Sequence, residues 1–460
     1  MLSGALARWF EEASMEDTYS VGGKGASLGE MYQKLSGIGV KVPNGFTLTT
    51  EAFRDFVNAD IPEATWDNVG NPEGIGNLRS EAIACKSLSS ALEVCLRDAD
   101  ASDHLGLNGR ASLARSLVRE TPVPETVKRA IGSEYSKLCD MYYPGVDVAV
   151  RSSATTEDSA EASFAGQYES YLNVSGESEI IEKWRRCVAS MFTERSVGYH
   201  LENGMHPLDS SIAVVVMKMA RSDKACSGVM FTIDPDSGHD GIIHIGSSYG
   251  LGELVVQGVV SPDTYTIWKK GLRMGKFPIV YRTLGGKEQM MVYNEESTNE
   301  VHTIQVSLEE RKKWSLTKEE CVSLAEMGLK IEDFFGKPMD IEWAKDGISN
   351  ELFIVQARPE TIHSKSSKSK MMLYKIDEKL TSKLKKDGRV IAEGQAVGTR
   401  VGTGMVRLYR TYSEVVQGRR ELQSLIDTGL APEEISPELS VFQNGDVLVT
   451  EMTTPDWEPL

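Results

Sequence analysis

The chain has 460 residues, room for about three domains of ~150 residues each, and 40% hydrophobic and 25% charged content typical of a globular protein in water. Sixty-seven acidic against fifty basic residues give a formal charge of -17, which argues against general binding to nucleic acid or an anionic membrane, since both are polyanions. A small phosphorylated ligand stays compatible, because local basic groups and backbone N–H groups can hold one inside an acidic protein.

In chain order, Met1 to Phe10 lacks an apolar signal core and is followed by Glu11 and Glu12, so no secretory leader is expected; an organellar one is left open. Val21 to Thr50 reads as a glycine loop, a helix, a glycine-containing turn and an extended piece over Val42 to Thr49. Residues 58 to 135 read largely as helices, broken at Gly70, Gly74, Gly76 and Pro122. Val146 to Val150, β-branched and preceded by Pro144-Gly145, predicts a strand, as do Ile212 to Met217, Gly228 to Ile233 and Ile242 to Ile245. A helix over Glu179 to His200 falls between them, an interleaving that points to the α/β (α+β) class. Ile212 to Met217 is also the longest purely apolar run, far too short to cross a bilayer. The six cysteines form no close pair, so neither a disulfide framework nor a zinc motif is expected, and the cytoplasm is the expected compartment. His363 to Lys370 (HSKSSKSK) is polar and basic, the composition of a solvated hinge. Beyond it, Gly394 to Tyr409 reads as short strands and turns, Thr411 to Glu438 as helical, and Gly445 to Thr450 as a strand.

Four segments carry candidate chemistry. In Val21-Gly22-Gly23-Lys24-Gly25-Ala26-Ser27-Leu28-Gly29, glycines allow close backbone approach to a polyphosphate and Lys24 supplies a cation. The spacing is not that of a Walker A loop, and a flexible turn with a solvated lysine fits as well. In Val148 to Asp158, continuing to Ser163-Phe164-Ala165-Gly166-Gln167, Arg151 ends an apolar strand ahead of several hydroxyls. Its forked donors suit phosphate, though a strand-end salt bridge explains it equally. Pro338 to Ala344 and Leu352 to Pro359 predict a hairpin turned at Lys345-Asp346-Gly347. A period of two places Asp340 with Glu342, and Gln356 with Arg358, against Phe353, Val355 and Ala357 on the other face. Carboxylate and amide oxygens are what Mg2+ takes when it also holds phosphates, while a half-exposed hairpin with polar residues toward water shows the same alternation. The fourth, Ser248-Tyr249-Gly250-Leu251-Gly252-Glu253 through Pro262-Asp263, is either a phosphate-side loop or a tight crossover.

Read together, GGKGASLGEM, VRSSATTEDSAEASFAGQYESYLNV, SGVMFTIDP, YGLGELVVQGVVSPDTY, GKPMDIEWA and FIVQARPETI resemble the successive motifs of the phosphoenolpyruvate synthase (pyruvate, water dikinase) family. They stand in that family's order over most of residues 20 to 362. Pyruvate, phosphate dikinases depart from the SSATTED and SFAGQ pattern, and rifampin phosphotransferases share much of the domain. The resemblance implies a two-lobed ATP-grasp-like domain over residues 1–362, a linker at 363–372, and an incomplete swivelling phosphohistidine domain over 373–460. It implies ATP and Mg2+ as ligands: Lys24 and Arg151 on phosphates, Glu342 and Gln356 on nucleotide and metal, and Arg358 stabilising the transferring group. Gly166 and Ser170 fall on a loop expected to cover the nucleotide, and Met217 stands where a glutamine often meets adenine. The family reaction converts ATP, pyruvate and water to AMP, phosphoenolpyruvate and phosphate through a histidine in a Gly-Gly-x-Thr-Cys-His run. None of the seven histidines here has that context, so the carrier and the pyruvate-binding barrel are expected outside these residues. A nucleotide-binding regulatory protein, or a phosphotransferase with another acceptor such as an antibiotic, are the alternative readings.

Overall fold

The computed structural model describes residues 5–101, 103–155, 168–294, 301–361, 378–390, 402–411 and scattered positions beyond. The chain divides into two compact units, Met1–Ser366 and Ser367–Leu460. In the first unit, strands β1 (Ala7–Trp9), β2 (Gly45–Leu48), β3 (Val148–Ala154), β4 (Ser170–Val174) and β5 (Ile212–Lys218) form one sheet in the order β1-β2-β5-β3-β4. The apolar run of β5 follows from burial on both faces. Val214 and Val216 pack with Phe46, Leu48, Val148 and Val150 against helices that contribute Phe56, Leu117, Ile131 and Trp184. Val215 and Met217 face the other way, into a second apolar cluster with Leu28, Met31, Met230, Ile341 and Trp343.

That second cluster joins the first sheet to the next. Strands β6 (Cys226–Phe231), β7 (Ile242–Tyr249), β8 (Asp263–Trp268), β9 (Ile279–Thr283), β12 (Met339–Lys345) and β13 (Leu352–Pro359) pair in the order β13-β12-β6-β7-β8-β9. Between β9 and β12, strands β10 (Gln289–Tyr293) and β11 (Val301–Gln305) form a separate antiparallel pair. Helix Lys318–Phe335 covers the second sheet through Cys321, Leu324, Ala325 and Ile331. It starts at a reciprocal Thr317/Glu320 cap and ends at Gly336, whose φ of 68° is left-handed.

The result is a mixed helix-and-sheet fold in which every pairing of the two large sheets is antiparallel. The helix expected over Glu179 to His200 is broken into Glu177–Ala189, a 3-10 turn Ser190–Phe192, and Glu194–Glu202. Thr193 caps the restart by accepting from Ser196 N. In the second unit, β14 (Val406–Leu408) and β15 (Val447–Val449) pair in parallel; most of Thr411 to Glu438 and all of the expected linker lie outside the described residues. The six cysteines are free. Among the described residues no helix is long and apolar enough to cross a membrane.

Candidate functional site

The hairpin β12–β13 supplies the polar face. Its register sets Asp340 opposite Arg358 and Glu342 opposite Gln356, so all four share one face, as the alternation requires. Ile341 opposite Ala357 and Trp343 opposite Ile354 point into the apolar cluster. Between Glu342 and Trp343 the register shifts, and the pairing skips Val355. This β-bulge corrects the expected facing: Ile354 enters the core and Phe353, opposite Ala344, turns to the other side. The turn is longer than Lys345-Asp346-Gly347, with Asp346 Oδ1 accepting from Ile348 N at 2.8 Å and Ser349 N at 3.0 Å.

Arg151, on β3 of the first sheet, reaches this face. Its Nη2 donates to Glu342 Oε2 at 2.7 Å and to Gln356 Oε1 at 2.8 Å, and its Nη1 to the bulged Val355 carbonyl at 3.0 Å. The glycine segment is bound to the same place. The segment read as loop then helix is α1 (Thr18–Leu35), two helical pieces joined across a break at Gly22 (φ 70°, ψ 174°). The kink exists because Gly22 lies against β3: a Cβ there would sit 1.9 Å from the Ser153 carbonyl oxygen. Ser153 Oγ donates to Val21 O at 2.8 Å and accepts from Gly25 N at 3.0 Å, while Ser27 Oγ donates to Ala357 O at 2.7 Å. Lys24, half-buried between these contacts, donates from Nζ to Ser152 O at 3.1 Å.

Electrostatics separate the carboxyls. Burial pushes Glu342 up, but the charge and hydrogen bond of Arg151, with Lys24 and Arg358 behind, prevail and hold it below the usual carboxylate range. Burial raises Asp340 above its usual value, opposed by Arg358, whose Nε and Nη2 donate to Asp340 Oδ2 at 2.9 and 2.8 Å. Glu253 is also raised by burial and feels the Arg151 charge in opposition. The loop whose role the sequence left open therefore brings Glu253 within electrostatic reach of Arg151, and that acid was the available signal.

Lys24, Arg151, Glu342, Gln356 and Arg358 are thus brought together. Ser170, expected on a covering loop, instead begins β4 directly opposite Arg151, and its residue is exposed. Met217 is on the same face of the first sheet, since its partner Ala149 is two residues from Arg151, but its side chain is buried in the apolar cluster. Gly166 lies outside the described residues. Beside the polar group, Ala149, Met219, Leu251 and Tyr293 form an apolar wall. Burial pushes the thiols of Cys95, Cys226 and Cys321 up to about 12, so they are poor nucleophiles at neutral pH.

The oxygens fit a divalent cation. One guanidinium nitrogen lies within hydrogen-bonding distance of both Glu342 Oε2 and Gln356 Oε1, so these hard donors converge on one point. Among the described residues no group of three or more His, Cys, Asp or Glu is set to hold a metal. Any ion here would need oxygens from its ligand or from water.

A family model described as pyruvate phosphate dikinase, AMP/ATP-binding domain, matches residues 18–378. The chain belongs to this family. The match embraces both sheets from α1 onward and every residue of the polar group. This dikinase-family chain is similar to the phosphoenolpyruvate synthase of Synechocystis sp., 40% identical over 99% of this chain and 50% of that protein. It is similar to that of Escherichia coli, 38% identical over 100% of this chain and 50% of the relative. A probable phosphoenolpyruvate synthase of Methanocaldococcus jannaschii is 33% identical over 98% of this chain and 32% of its own length. The chain spans about half the length of the first two.

Proposed function

We propose that this chain is the nucleotide-binding portion of a pyruvate, water dikinase. It binds Mg·ATP where the two sheets meet and passes the pyrophosphoryl group to a histidine in a part of the protein these residues do not span. The observation that carries the reading is Arg151, a first-sheet guanidinium held on the Glu342 and Gln356 oxygens of the second. Three segments far apart in sequence thereby bring three cations, a carboxylate and an amide to one place, the composition a polyphosphate requires.

In this reading the two lobes form an ATP-grasp-like cleft. Lys24 and Arg151 take phosphate oxygens, and the α1 kink at Gly22 keeps Lys24 against β3. Asp340 fixes the Arg358 fork, so that guanidinium reaches the transferring group already oriented. The wall of Ala149, Met219 and Leu251, with Met217 beneath, would receive the base. A divalent cation, held by Glu342 and Gln356, would supply charge neutralisation on the phosphates. Catalysis by these residues is positioning and electrostatics, as phosphoryl transfer generally demands. Residues 1–362 form the nucleotide domain, 363–372 a linker, and 373–460 part of a swivelling phosphohistidine domain. Pyruvate is the final acceptor of the whole protein, which works in the cytoplasm without nucleic-acid or membrane partners.

Isothermal titration of the chain with Mg·ATP tests this. Saturable heat with a thermal upshift is expected; neither heat nor shift at millimolar nucleotide would refute the reading.

A further inference from the structure

We propose that Arg151 is a built-in cation that occupies the place between Glu342 and Gln356 which a divalent metal would take, so that metal binding and polyphosphate binding are coupled through this one side chain. The inference rests on the Mg·ATP reading above and deepens it by assigning a gate to the same site.

A single nitrogen, Nη2, lies 2.7 Å from Glu342 Oε2 and 2.8 Å from Gln356 Oε1. A metal ion bound by the same two oxygens would lie closer still, at about 2.0–2.6 Å from each. The two cations therefore compete for one position, and in a half-buried setting their mutual repulsion is weakly screened. The side chains of Arg151 and Glu342 are only 12% and 25% exposed.

Displacing Arg151 leaves its charge to be met elsewhere. Among the described residues Glu253 is a further carboxyl that feels it, but burial favours the neutral form of Glu253, so it is a poor substitute. A polyphosphate is a good one, because its oxygens accept the guanidinium fork. The side chain also has a pivot: Nη1 is held by the Val355 carbonyl, which the bulge leaves out of the β12 pairing. Arg151 can keep that bond while Nη2 exchanges carboxylate for phosphate. Metal alone must evict Arg151 with, among the described residues, only the weakly receptive Glu253 to receive it. Polyphosphate alone draws Arg151 away and leaves two oxygens without a cation. Each ligand removes the cost of the other, and linkage makes that help reciprocal.

The test is Mn2+ binding without nucleotide, followed by the loss of the free-ion electron paramagnetic resonance signal. The wild-type chain is expected to bind Mn2+ weakly. Arg151→Met, checked for folding by circular dichroism, is expected to bind it more tightly, by a factor within the usual coupling range of roughly 5- to 150-fold. Adding Glu342→Gln to that variant should abolish the gain, placing the ion at this site. Guanidinium ion added to Arg151→Met should compete with Mn2+ and restore weak binding. Arg151→Gln carries the same expectation and replaces the methionine variant if that one does not fold. Mn2+ affinity in the folded variant equal to or below wild type overturns the inference. Wild-type titration with Mg·ATP distinguishes the two failures. If Mg·ATP binds while the variant shows no gain, the gate is wrong and the nucleotide site stands; if Mg·ATP does not bind, both fall.

Discussion

Two ion pairs sit in the same unit and differ in almost every respect except sign. Asp263, at the start of β8, and Lys287, between β9 and β10, have fully buried side chains. Asp263 Oδ1 accepts from Lys287 Nζ and from Gly285 N at 2.9 Å, and Oδ2 accepts from Ser315 N and Oγ, each at 2.8 Å. Lys287 Nζ also donates to Gly285 O at 3.2 Å. That circle is closed: both carboxylate oxygens are saturated from within, and exchange with a ligand has no route. Arg151 and Glu342 are partly open to solvent, and the guanidinium is divided among oxygens of two strands. A closed pair contributes to specifying the fold, whereas an open pair at a junction of sheets can trade partners. Burial and completeness of hydrogen bonding, rather than charge, tell the two apart.

Mutation should reverse the two pairs' ranking according to what is measured. The largest stability loss is expected from Lys287→Met, which strands Asp263 as a buried charge, at about 3–5 kcal/mol. Urea unfolding measures it, and a loss below about 1 kcal/mol would mean that the pair is not closed. Gly22→Ala comes next. It forces a Cβ to 1.9 Å from the Ser153 carbonyl at a φ of +70°, and strain with overpacking costs on the order of 2–4 kcal/mol. Because Gly22 also places Lys24, the same variant should weaken Mg·ATP binding in whatever fraction folds. Arg151→Met should cost less stability, about 1–2 kcal/mol, since water can reach Glu342 in its place. Yet it should weaken Mg·ATP by at least roughly tenfold, the loss of about one charge-assisted contact. Equal effects of Lys287→Met and Arg151→Met on both readouts would erase the distinction.

The smallest effect concerns neither pair. Burial pushes the His200 imidazole below its ordinary value of 6.5, with Nδ1 2.7 Å from Ser196 O and Nε2 3.0 Å from Ser210 Oγ. The unfolded chain takes up a proton near that ordinary value, and the folded one only at lower pH. Stability is therefore unaffected by this group above the ordinary value and is lost as the pH falls through the window beneath it. His244, lowered by the same cause, adds in the same direction. His200→Gln should reduce the loss between about pH 7 and about pH 5.5 by up to roughly 1–2 kcal/mol, read from urea midpoints at the two values. An unchanged slope would contradict the assignment.

The polar face of the hairpin was legible because β-strand geometry is local: alternation put Asp340 with Glu342 and Gln356 with Arg358, and the register sets the two pairs opposite each other. It ceased to be legible at Val355. The bulge there presents a carbonyl to Arg151, a partner 204 residues away, and no window of sequence contains that demand. The glycine segment shows the same limit. Its composition suggested a loop, and the chain does leave helical geometry there, but only at Gly22, where the approach of Ser153 dictates the break. Alternating helices and strands announced a mixed fold without the antiparallel pairing, which depends on the route of the chain between sheets. Met217 and Glu253 were visible as residue types, but the face each occupies is set by register and by the four-residue helix Glu253–Val256.

The most direct test of the account is Mg·ATP affinity in Glu342→Ala and Lys287→Met measured side by side with wild type, each normalised to its folded fraction. Glu342→Ala, though folded, is expected to lose at least roughly tenfold in affinity, while folded Lys287→Met is expected to bind as wild type does. Wild-type affinity in Glu342→Ala would contradict it, because the junction of the two sheets would then not be where the nucleotide's phosphates and metal are held.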